Sequence, residues 1–126
     1  MTNLKALMGL SLILVLAACS NNTGPTAGIL KVAVASPFQD DGAILLSVYG
    51  GSVDSVESVG YPIYSARVAD TVKIIVTGQL SSGVLARMHI PDTRQASSYN
   101  AQIKQGAARQ TYVLHEPGGY TVTLLR

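Results

Sequence analysis

The chain has 126 residues, 48% of them hydrophobic and 13% charged, with a formal net charge of +2. A single cysteine excludes a disulfide scaffold, and the lack of any run of basic residues excludes the electrostatic footprint of a nucleic-acid binder. The length suits one compact domain held by a hydrophobic core. At the N-terminus, Lys5 precedes an apolar run from Ala6 to Leu16, and Leu16-Ala17-Ala18 lead into the only cysteine, Cys19. A basic start, a short greasy core and small residues before a cut make a secretory signal peptide over residues 1–18. The run is too short for a transmembrane helix, which needs about 20 apolar residues.

Leu16-Ala17-Ala18-Cys19 resembles the lipobox of bacterial lipoproteins. The resemblance implies that the Cys19 sulfur receives a diacylglycerol and that the new N-terminus is acylated, with palmitate-type chains holding the protein on a membrane. Several acyl chains anchor firmly where one gives only marginal binding. Ser20 stands where an aspartate would favour inner-membrane retention, so in a Gram-negative cell the resemblance implies the outer membrane. Lipidation would also occupy the only thiol. Residues 19–28 are then the lipidated cysteine and a flexible tether, whose SNNTGPTAG stretch is small, polar and rich in turn formers. It reaches at most roughly 30 Å when extended.

From residue 29 to 126 the hydrophobic period is two, as a half-buried strand requires. Strands are expected at Leu30–Ala35, Ala43–Tyr49, Ile63–Ala69, Thr71–Thr77, Val84–Ile90, Tyr99–Lys104, Gln110–His115 and Tyr120–Leu124. Turn formers separate them at Asp41-Gly42, Gly50-Gly51, Ser81-Ser82-Gly83, Pro91-Asp92 and Pro117-Gly118-Gly119. Val53, Val56 and Val59 fit one helical turn or a distorted strand, and Asp92–Ser98 fits a brief helical turn. No long amphipathic helix is present, which argues against an α/β enzyme fold. The expectation is one all-β sandwich, immunoglobulin- or cohesin-like, of seven to nine strands.

Three segments, Ala43–Tyr49, Ser52–Val59 and Ser82–Ile90, resemble the cohesin family of β-sandwich modules in their hydrophobic patterning. The resemblance implies the fold. Gly50 stands where cohesins commonly carry an acid, and the domain is shorter than theirs, so dockerin recognition is not implied.

Candidate chemistry is sparse. His89 and His115 read as outward-facing on separate strands, and no serine sits in a nucleophile context such as G-x-S-x-G. No catalytic residue, cofactor or metal is therefore expected, zinc needing three or four ligands from a short supply of His, Cys and acids. Asp40-Asp41-Gly42 reads as a tight turn rather than a calcium loop. Gly50-Gly51 and Gly118-Gly119 precede strands, so they carry turns rather than phosphates. Pro62 confines Tyr61-Pro62-Ile63-Tyr64 to an edge or a strand start, where the tyrosines are available for contact. Tyr99, Tyr112 and Tyr120 fit inward positions. The expected function is a non-catalytic, lipid-anchored envelope protein that contacts another protein, with Tyr61, Tyr64 and Arg87 as the contact surface. The alternative is a glycan-binding module at the cell wall or surface, which requires an exposed row of tyrosines drawn from Tyr49, Tyr61 and Tyr64.

Overall fold

A computed structural model describes residues 24–126. The signal peptide, the lipobox and Cys19 lie outside the described residues. Nine strands form: β1 (Gly28–Ala35), β2 (Asp41–Tyr49), β3 (Ser55–Ser58), β4 (Ile63–Val68), β5 (Thr71–Thr77), β6 (Gly83–Ile90), β7 (Asn100–Ala108), β8 (Leu114–His115) and β9 (Thr121–Leu125). Two antiparallel sheets, in the orders β3-β6-β1-β9 and β4-β5-β2-β7-β8, face each other as a sandwich. β1 opens at Gly28, and the Thr26 carbonyl already accepts a hydrogen bond from the Thr93 amide at 2.8 Å.

Alternation explains the assembly. Leu30, Val32 and Val34 of β1 and Ala86, Met88 and Ile90 of β6 meet Ile44, Leu46 and Val48 of β2 and Val72, Ile74 and Val76 of β5 in one buried cluster. Each of these larger aliphatic side chains stabilises the fold by about 1.5–3 kcal/mol on leaving water. β-Branched residues dominate because they fit the pleated surface with little loss of rotamer freedom.

Three places depart from simple alternation. A bulge opposite Val32/Ala33 lets Leu85 turn inward beside Ala86, so two successive residues of β6 are buried. Within Val53–Val59, Ser55–Ser58 form the four-residue strand β3, not a helical turn. The span expected as a strand at Gln110–His115 is a tight turn: the Tyr112 amide bonds to the Ala108 carbonyl, and Tyr112 takes φ +58. Only Leu114 and His115 pair with β7, and Tyr112 is 80% exposed rather than inward. The turn at Asp92–Ser98 forms as a 3-10 helix over Thr93–Ser98, with the Asp92 carboxylate accepting from the Arg94 amide at 3.0 Å.

Candidate functional site

Asp41 opens β2, where a register shift between Asp41 and Ala43 turns its side chain to the inner face. It is 1% exposed. The expected tight turn at Asp40-Asp41-Gly42 is thus displaced: residues 41 and 42 are strand, and bends fall at residues 37 and 39 instead. Tyr120, which precedes β9, donates its hydroxyl to Asp41 Oδ1 at 2.6 Å, and the Ser36 hydroxyl donates to Oδ2. His115 Nδ1 lies 3.0 Å from the same Oδ1 and 3.1 Å from the Tyr120 hydroxyl oxygen. Because Tyr120 spends its proton on Asp41, the network assigns a proton to His115 Nδ1.

The ring of Phe38 stacks on the His115 imidazole with centroids 3.8 Å apart and planes 16° from parallel. His115 Nε2 lies 3.5 Å from Asp40 Oδ1. Burial, and then the hydrogen bond to Asp41, push the Tyr120 phenol well above the ordinary tyrosine range. Gly106 of β7 makes the space, since a Cβ there would sit 2.1 Å from the Tyr120 hydroxyl oxygen.

His115 is therefore buried, and the outward placement expected for it is overturned. Three residues beyond the left-handed Tyr112, it falls opposite Gly106 on the inner face. Outward alternation holds for His89, which is half-exposed with Nε2 2.8 Å from Glu57 Oε2. The chemistry of the buried group is that of a clasp. Its carboxylate sits in the middle and receives the serine, the phenol and the imidazole, whereas a nucleophilic relay places the histidine between serine and acid. Every buried side-chain nitrogen and oxygen among the described residues has a partner. No group of three or more His, Cys, Asp or Glu among them is placed to hold a metal ion.

A second region lies at the other side of the same sheet. β4 is an edge strand that pairs only with β5, in unbroken register. Pro62 stands immediately before it and offers its carbonyl to the Thr77 amide at 3.0 Å. Tyr64 points to the outer face and is 65% exposed, and Val68 on the same face is 53% exposed. Tyr64 registers with Ile75 of β5, which registers with Leu45 of β2. In the next row Ala43 registers with Ala107, and Ala107 with exposed Leu114 of β8. An apolar strip thus crosses the outer face from β4 to β8.

The three expected contact residues separate. Tyr61 lies in the loop before β4, half-buried and packed against the core, its carbonyl accepting from the Ser58 hydroxyl at 2.6 Å. Tyr64 is exposed on the five-stranded sheet. Arg87 lies on β6, on the outer face of the other sheet, with Nη1 3.8 Å from Glu57 Oε1. Tyr61 and Tyr64 share a region; Arg87 does not. Tyr49 ends β2, four residues or about 13 Å along the strand from Leu45 in the Tyr64 row. Tyr49, Tyr61 and Tyr64 therefore form no continuous row of the kind the glycan-binding alternative requires.

Comparison of the chain with protein-family models, with curated proteins and with solved structures finds no match in any of the three.

Proposed function

We propose that this chain is a lipid-anchored, non-catalytic β-sandwich of a bacterial cell envelope that makes protein–protein contacts through the β4 side of its five-stranded sheet. The anchor rests on the Leu16-Ala17-Ala18-Cys19 sequence. The contact surface rests on one observation: an edge strand with Tyr64 and Val68 exposed, continuous with an apolar strip across the sheet. Such an edge is a template for another chain unless it is blunted; β4 contains no proline, lysine or bulge, and its one charge, Arg67, is tied to the Val53 carbonyl. The buried polar group supports the non-catalytic reading, because its members satisfy one another inside the fold.

Two variants of the full-length chain test the two halves. Cys19→Ser is expected to move the protein out of the membrane fraction and change its processed size; retention in the membrane would overturn the anchor. Tyr64→Ala is expected to weaken capture of an envelope protein cross-linked in living cells, while Arg87→Ala leaves capture unchanged. Equal capture by wild type and Tyr64→Ala would remove β4 as the contact surface.

A further inference from the structure

We propose that the partner at the β4 edge is a second copy of the chain, paired strand to strand about a two-fold axis through Ala66. The inference rests on the β4 contact reading above and names its partner. The first support is the phase of the backbone. The Thr77 amide bonds to the Pro62 carbonyl, and the Gly78 amide to the Gly42 carbonyl, so the alternation of an antiparallel ladder assigns Tyr64, Ala66 and Val68 to hydrogen bonds with β5. The N–H and C=O groups of Ile63, Ser65 and Arg67 then point to the free edge. Among the described residues no backbone hydrogen bond joins β4 to β3, the edge strand of the other sheet.

Self-complementarity is the second support. Opposite residues in a continuous sheet share a face, so a two-fold axis on Ala66 sets Ser65 against Arg67 of the other copy in hydrogen-bonded pairs. It sets Tyr64 against Val68 twice, and Ala66 against Ala66, in the closer non-hydrogen-bonded pairs. The aromatic and β-branched side chains that one copy leaves exposed are covered by the other, and such cross-strand pairs are favourable. No like charges meet, since Arg67 is the strand's only charged residue and its guanidinium turns away to the Val53 carbonyl. Two five-stranded sheets become one of ten, and the apolar strip continues across both copies.

The other edges are poorer templates. β8 has two residues and β3 has four, the latter carrying Glu57 bonded to His89. β9 has five, and of its exposed positions Thr121, Thr123 and Leu125 only Leu125 is a large apolar residue, against Tyr64 and Val68 on β4.

The test places a cysteine on the proposed axis of the otherwise native full-length chain in its membrane. Non-hydrogen-bonded partners lie about 4.5 Å apart between Cα atoms, within disulfide range. Ala66→Cys is expected to give a disulfide-linked dimer under mild oxidation. Thr123→Cys, also exposed but on β9, and the parent chain with Cys19 alone are expected to stay at background. Adding Ser65→Pro to Ala66→Cys removes a free-edge donor without touching the β5 ladder, so the dimer is expected to vanish while the cooperative thermal transition remains. Equal dimer at residues 66 and 123, or dimer that survives Ser65→Pro in a folded chain, would overturn strand pairing. A disulfide from residue 66 to a different protein would overturn the second copy as partner and leave the contact reading standing. No adduct of any kind from residue 66 would overturn both.

Discussion

The two sides of the five-stranded sheet handle hydrogen-bonding groups in opposite ways. Where β2, β7 and β8 meet, a carboxylate, an imidazole, a phenol and a hydroxyl are drawn out of water and bonded to one another. Along β4, one side of the backbone has no strand partner, beside an exposed tyrosine and valine. The difference separates stability from contact. A buried polar group costs several kcal/mol when one partner is removed, so the first region resists change. An open edge costs the fold little when altered, so the second is free to serve a partner.

Breaking the first region gives the largest effects. Asp41→Ala leaves Ser36, Tyr120 and His115 without their shared acceptor and is expected to cost about 3–5 kcal/mol, read as a lower urea midpoint. Gly106→Ala forces a Cβ against the Tyr120 hydroxyl and is expected to cost about 1–3 kcal/mol. Tyr120→Phe deletes one hydrogen bond to the carboxylate, for about 1.5–3 kcal/mol at neutral pH.

The phenol also carries a pH signature. Its pKa is raised in the folded state, so its contribution is whole below the unfolded value of about 10 and declines as pH rises beyond it, when the unfolded chain ionises first. Urea melts from neutral to strongly alkaline pH are expected to show the gap between wild type and Tyr120→Phe narrowing above about pH 10. A constant gap would mean that the phenol is not held neutral by the fold.

Smaller effects belong to the exposed groups. Glu57→Gln loosens the surface contacts to Arg87 and His89 and is expected to change stability by less than about 1 kcal/mol. Ser65→Pro is expected to change it least, because the lost donor faces outward.

The fold was legible because alternation at β1, β2, β5, β6, β7 and β9 marks the buried face directly. Pro62 likewise marked the approach to an edge strand. Tyr120 follows the alternation to its inward position, but the rest of the buried polar group is not legible, because Asp41 and His115 reach the inner face through breaks in alternation. Asp41 depends on the register shift at the start of β2, and His115 on the left-handed Tyr112. Their partners are up to 79 residues away in the chain. Gly106 was the available clue: a residue with no side chain, in phase with the inner face of a strand, where a ring from elsewhere must fit. Arg87 and Tyr64 fall on different sheets, which alternation alone does not reveal, because it does not tell which of two sheets a strand joins.

The most direct test of the contact account is a photoreactive phenylalanine analogue placed at Tyr64 of the full-length chain in living cells, compared with the same analogue at Thr123. The account predicts a discrete adduct from position 64 and none from 123. Adducts absent from both positions, or equal at both, would contradict it.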